Sequence, residues 1–181
     1  MHGHQTNILL VWCAMTISEV LLLDYDTEIA GTRRTLERIP ESDPAWKPDE
    51  KSMAIGRLAL HVARLPDFCT TILTTPGLDM ATRPFPGFVF ESTAHLLSEL
   101  ERSSTEARTH LATASDEDLQ VNWKLSFGEK VFADGPRMTL YRTMFLNHLV
   151  HHRAQLGVYL RLLKIPVPGL YGPSADEPMA L

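Results

Sequence analysis

Three of the chain's eight histidines fall within five positions: His148, His151 and His152, in the stretch Asn-His-Leu-Val-His-His-Arg-Ala-Gln-Leu at residues 147–156. His148 and His152 are four residues apart. At the helical repeat their side chains leave the axis about 40° apart, so both can bind one divalent ion without backbone strain. His151 is three residues after His148, lies near the same face and is the rival ligand. Such a pair says little alone, because a helix can expose two histidines for no chemical reason. It gains weight if a third ligand comes from elsewhere. His61 is the candidate, since it interrupts an apolar run, Leu58-Ala59-Leu60-His61-Val62-Ala63. The plain account, and the better one for any single histidine, is a core residue satisfied by its neighbours. In the sharper account His61 faces His148 and His152 across the core. Three imidazoles would then hold a metal and leave positions open for water or substrate, the catalytic rather than the structural arrangement. Neutral imidazoles suit zinc, nickel, iron or copper.

Helices must position these residues. In the last third of the chain Met138, Leu140, Met144, Phe145, Leu149, Leu156, Tyr159, Leu160 and Leu163 recur mostly three or four apart, which predicts a helix over residues 137–164 with one face on a core. A first helix is expected over residues 17–38. It would open on a capping box of Thr16 with Glu19 and stop at Pro40. A second is expected over residues 53–73, capped by Ser52, with a kink or short break near Val62 caused by Pro66. A third is expected over residues 89–112, its core stripe being Phe90, Ala94, Leu97, Leu100, Ala107 and Leu111.

The connections differ in character. Residues 41–51 carry Pro44 and Pro48 and are irregular, with Trp46 folding down as a lid over one end. Residues 74–88 read as a proline-rich loop. Ser115 to Asp118 form a turn or a fresh cap. Val121, Trp123, Leu125 and Phe127 then alternate with polar residues before Gly128, predicting a short hairpin or extended flap between the third and fourth helices. The expected architecture is all-α, a four-helix bundle whose metal site is built from inward side chains on facing helices.

Composition narrows the function classes. With 44% hydrophobic and 22% charged residues the chain has the make-up of one globular domain. A net charge of −5 and no basic stripe argue against nucleic-acid binding. Cys13 and Cys69 show no pairing pattern, which suits a reducing, cytoplasmic setting. The apolar run at residues 8–15 is too short to span a bilayer and lacks the positive flank of a signal peptide. Residues 1–14 are read as a non-native or peripheral extension and residues 15–181 as the domain, the runner-up being a weak membrane-directed leader.

Beyond these patterns, several stretches carry a resemblance. They are His61 in Leu-His-Val-Ala, residues 148–156, Arg33-Arg34-Thr35-Leu36-Glu37-Arg38-Ile39-Pro40, Trp46-Lys47-Pro48, Lys51-Ser52-Met53 and the ending at residues 167–177. Over residues 15–177 the sequence resembles the DinB-like family of DinB and YfiT proteins. That resemblance implies a four-helix bundle with a metal held by His61, His148 and His152, and frequent homodimers. It also implies, for some relatives, transfer of low-molecular-weight thiols such as bacillithiol or isomerisation with mycothiol. Ala154 departs from the pattern, since relatives often carry glycine there.

The remaining residues divide evenly or lean towards packing. Gln155 and Tyr159 follow His152 at three and seven and could orient ligands or bind substrate. Tyr141, seven before His148, has equal standing as a core residue. Arg57 could hold an anion but is expected in solvent. Cys69 should be buried away from the site, and His95 and His110 should be structural or exposed. Trp123 and Phe127 are expected to pack against helices rather than line a pocket mouth.

The functional expectation is a metal-dependent enzyme acting on a small molecule, with zinc or nickel favoured over iron, copper or manganese. It would activate a thiol for S-transfer or water for hydrolysis. No carboxylate lies within one turn of a proposed ligand, the nearest being Asp67 six beyond His61, which leans towards a thiol because it needs less help from a base. The alternative is a non-catalytic, metal-binding, dimeric protein of a stress response. No membrane partner is expected.

Overall fold

The computed structural model describes residues 15–83 and 87–178; the expected extension at residues 1–14 lies outside them. The described chain is mainly helical with one small sheet. Thr16 caps α1 (Ile17–Leu36) as expected: its hydroxyl accepts the Glu19 N–H, and the Glu19 carboxylate accepts the Thr16 N–H at 2.8 Å. The helix ends two residues early. Arg38 and Ile39 donate three residues back, to Thr35 and Leu36, tightening the chain into a turn ahead of Pro40.

α2 (Ile55–Thr74) carries His61. Ser52 is not its cap. The helix begins after Ala54, which offers no capping side chain, and the loop before it does the work. Ile55 N–H donates to the Trp46 carbonyl at 2.8 Å and Gly56 N–H to the Pro44 carbonyl at 3.0 Å. Trp46 itself packs edge-on against Tyr159, with ring centroids 5.6 Å apart. Pro66 lies inside α2 without breaking it; the helix has packed neighbours on several sides, and these outweigh one lost hydrogen bond. Ile55, Leu58, Ala59, Val62 and Ala63 are fully buried, as the periodicity required.

Sequence reasoning placed no strand in residues 74–88, yet β1 (Gly77–Asp79) pairs there in parallel with β2 (Asn122–Phe127), which pairs antiparallel with β3 (Lys130–Pro136). Three residues between prolines are too few to show a period. Gly77 permits the pairing, because a Cβ there would stand 2.9 Å from the Lys124 carbonyl oxygen. Gly128 turns the hairpin at φ 57°. An irregularity in the ladder between Leu125 and Ser126 reverses the facing of the strand. Trp123 and Leu125 therefore point inward, whereas Phe127 is 57% exposed.

α3 (Thr93–Thr113) starts at Ser92, whose Oγ accepts the His95 N–H at 3.0 Å. The expected start at residue 89 and the inward placing of Ala94 both fail. With the cap at Ser92, Leu96 takes the buried position beside Leu100, Ala107 and Leu111, and Ala94 faces solvent. Ser115 and Asp118 form a second capping box opening α4 (Asp116–Gln120).

The final helical stretch is not uniform. α5 (Arg137–Leu140) widens into a π-helical segment, Tyr141–Leu146, before α6 (Asn147–Leu162). The Asn147 N–H reaches back five residues to the Arg142 carbonyl. α1, α2, α3 and α6 are the long helices. Ser103 Oγ donates to the Ala63 carbonyl at 2.8 Å and Tyr25 OH to the Ser104 carbonyl at 2.8 Å, tying α3 to α2 and to α1.

Candidate metal centre

His61 leaves the second turn of α2, and His148 and His152 leave the first turns of α6, directly after the π-helical widening. One extra residue per turn shifts the phase of the helix, and such bulges frequently sit at functional sites. Tyr141 and Phe145 turn into the core, their rings 5.3 Å apart, while His148 and His152 turn towards α2.

The three histidines expected as ligands do come together. One ring nitrogen from each of His61, His148 and His152 lies within 4.8 Å of the other two, and all three residues are partly buried. His61 Nε2 and His148 Nε2 are 3.3 Å apart. Two nitrogens on one tetrahedral ion, each about 2.0–2.1 Å from it, stand roughly 3.3 Å apart. The outer ring atoms are also engaged. His152 Nδ1 lies 2.7 Å from Gln155 Oε1, and His148 Nδ1 lies 3.3 Å from the Met144 carbonyl. An oxygen acceptor at each Nδ1 assigns the proton there, which leaves the Nε2 lone pair free to ligate. The donor set therefore fits a divalent transition metal.

Electrostatics favours the neutral form that a ligand needs. Burial, reinforced by the neighbouring His152 and His148 and by Arg57, lowers the His61 pKa to about 4. Burial likewise lowers His148 and His152, although the contacts with the Met144 carbonyl and Gln155 pull the other way. His61 also meets the Phe88 ring edge-on at 5.7 Å.

A cavity of about 720 Å³ opens beside this cluster, with His61 and His148 in its wall. It runs along α2 to Thr75 and is floored by apolar side chains that include Leu65, Phe68 and Leu125.

Other candidates fall elsewhere. Gln155 places its Oε1 at His152 Nδ1, the contact that its ligand-orienting reading needs. His151 is exposed, its ring edge-on to that of His152 with centroids 4.9 Å apart, and lies outside the cluster. Tyr141 is a core residue that donates to the Leu21 carbonyl at 3.1 Å, and Tyr159 packs on Trp46. Arg57 is exposed beside Phe88. Cys69 is fully buried, and burial raises its thiol pKa far above the usual range. His95 lies between Glu91 and Glu99 on α3, and His110 joins no ligand cluster among the described residues. Trp123 is buried, donating from Nε1 to Thr75 Oγ1 at 3.1 Å.

Two features escaped the sequence reading. Arg153, directly after His152, has a side chain only 2% exposed and pairs with Glu28 of α1. It also donates to the Glu28 carbonyl at 2.8 Å and to the Tyr171 hydroxyl, so α6, α1 and the C-terminal segment meet at one guanidinium. A signal was present: Leu149, Arg153, Leu156 and Leu160 share one helical stripe, and a charge on an apolar stripe needs a partner. The second is Arg83, which lines the cavity from within a segment read only as loop.

Comparison with known proteins agrees with this geometry. A curated relative from Bacillus subtilis (strain 168), described as "Uncharacterized protein YrdA", is 21% identical over 158 residues, 86% of this chain and 89% of that one. The crystal structure of a DinB-like protein from Bacillus cereus ATCC 10987 superposes with a TM-score of 0.63 at 22% identity, covering 83% of this chain and 95% of that one. A DinB-like protein, YjoA, from Bacillus subtilis gives a TM-score of 0.61 at 17% identity, covering 81% and 94%. These likenesses establish the fold. The profile of the DinB family matches residues 18–179, and the chain belongs to that family.

Proposed function

We propose that the protein is a metal-dependent enzyme whose ion is held by His61, His148 and His152 and whose substrate enters the adjoining cavity. One observation carries the reading: three imidazole nitrogens within 4.8 Å of one another, two of them belonging to residues in the wall of a cavity of about 720 Å³. A structural ion has no use for such an opening, whereas an open position beside a cavity is what catalysis requires. A bound divalent ion lowers the pKa of a thiol or water that joins it and so supplies a nucleophile at neutral pH.

Thiol transfer is favoured over hydrolysis. Hydrolysis calls for a general base within hydrogen-bond reach of the attacking water. Of the two carboxylates in the cavity wall, Asp67 is bound through both oxygens to Arg102 at 2.9 and 2.8 Å, and Glu106 faces the same guanidinium at 3.8 Å. A thiol that ionises on the metal needs no such base. The four long helices are read as a bundle, working as a cytoplasmic homodimer without nucleic-acid or membrane partners. No described helix is long and apolar enough to cross a membrane.

The test is metal content by mass spectrometry on the full chain after zinc or nickel loading, beside His61→Ala and His148→Ala. The expected result is about one ion per chain in the parent and none in either variant, with loaded parent alone transferring a small thiol to an electrophile. A parent that takes up no ion would remove the basis of the proposal.

A further inference from the structure

We infer that the cavity beside the three histidines takes an elongated carboxylate: an apolar chain with its acid group on Arg83 and its far, reacting end at the metal. The inference rests on the metal-site reading for the reacting end only. The other end is argued from the cavity itself.

Three guanidinium groups line the cavity, and two are already neutralised. Arg64 donates to Glu99 at 2.6 Å, and Arg102 binds Asp67 through two hydrogen bonds. Arg83 differs. Its one described side-chain hydrogen bond goes to a neutral group, Thr71 Oγ1, at 3.3 Å, and no carboxylate among the described residues pairs with it. Thr71 Oγ1 in turn donates to the Asp67 carbonyl at 2.9 Å, so its hydroxyl proton is committed and it serves Arg83 only as an acceptor. A planar guanidinium held in this way at a cavity wall keeps donors free for one carboxylate.

Six apolar side chains share the lining with Arg83 and the histidines: Leu65, Phe68, Leu78, Met80, Leu125 and Met144. Thr71 follows His61 by ten residues on α2, so the two ends are roughly 15 Å apart along the helix. A bond to the ion takes roughly 2 Å of this, and an extended chain advances roughly 3.5 Å for every three bonds, so about eleven bonds, or roughly twelve chain atoms including the acid oxygen, span the rest. A singly charged head is favoured over a phosphate, because Arg83 is the one guanidinium of this lining without a carboxylate partner among the described residues, and a second negative charge would meet no free cation there.

The experiment is calorimetric titration of the full-length protein, first stripped of metal so that a carboxylate cannot ligate an ion. Decanoate should bind the parent and bind Arg83→Gln roughly tenfold or more weakly, the usual weight of a hydrogen bond to a charged group. Decanol should bind the parent no better than decanoate binds the variant. Equal affinity of parent and variant for decanoate, or no decanoate binding, would overturn the inference. Tighter binding of decyl phosphate than of decanoate would overturn the choice of a carboxylate. A mercapto-carboxylate of similar length separates the two readings. It should bind the zinc-loaded parent more tightly than the stripped one, and His61→Ala should lose that gain while keeping the dependence on Arg83. If the gain is absent and the Arg83 dependence stands, the metal reading fails and this assignment survives.

Discussion

His152 and Arg153 are neighbours in sequence, yet the regions they enter manage buried polarity in opposite ways. Arg153 stays charged in a nearly dry place because everything around it is a partner: the Glu28 carboxylate and carbonyl, the Thr32 hydroxyl and the Tyr171 hydroxyl. His152 joins two other imidazoles, and burial lowers the pKa of all three, favouring neutral rings with ring nitrogens turned towards one another. One region has spent its hydrogen-bonding capacity on holding α1, α6 and the C-terminal segment together. The other has left capacity unused at the wall of a cavity. A saturated polar cluster fixes structure, while an unsaturated one is where a ligand adds binding energy.

The contrast can be broken first at its strongest point. Arg153→Ala leaves the half-buried Glu28 carboxylate with the Tyr171 hydroxyl but without its charge partner, and removing one partner of a buried pair costs about 3–5 kcal/mol. For a domain of this size each kcal/mol corresponds to roughly 2–4 °C, so thermal unfolding should show a large fall in Tm. The double variant Arg153→Met with Glu28→Gln should recover much of it. A single variant within a degree of the parent would show that the pair contributes little.

Gln155→Ala acts on the other region and should leave Tm nearly unchanged. Loss of the acceptor that sets the His152 tautomer should weaken zinc binding by roughly 10–100-fold, measured by competition with a chelating dye. An unchanged zinc affinity would reduce Gln155 to a packing residue.

A third break lies in the pH dependence of the metal-free protein. In the metal-free protein the folded His61 pKa is lowered to about 4, below its unfolded value of about 6.5. The unfolded chain therefore binds more protons between these values, and stability rises with pH there. On acidification stability should be intact above about pH 6.5 and decline towards about pH 4. His61→Gln should flatten that decline in urea titrations at fixed pH; an identical slope would assign the acid loss to other groups.

The helices of both regions were legible because their signals are local. Thr16 with Glu19, and the spacing of Leu149, Leu156 and Leu160 by seven and then four, concern residues within two turns of their neighbours. The limits of α2 were less so, because its first N–H groups are capped by the Trp46 and Pro44 carbonyls of a preceding loop. β1 was invisible, since a three-residue strand exists only through its pairing with β2, some 47 positions away.

The sequence by itself determined which residues could be ligands: it put His148 and His152 on one helical face and His61 in an apolar stripe. Helical geometry guarantees the first, and the cost of burying an unpartnered imidazole makes the second worth notice. Only the tertiary structure decided that these ligands meet. His61 and His148 are 87 residues apart, and their approach depends on how α2 packs against α6 and on the π-helical turn that sets the phase of α6. The same holds for Arg153 and Glu28, 125 residues apart, and for Arg83, which lines the cavity without a carboxylate partner among the described residues. Periodicity reports which face of a helix is apolar, but which distant face covers it is settled by packing, and the proposed chemistry lies where those faces fail to close.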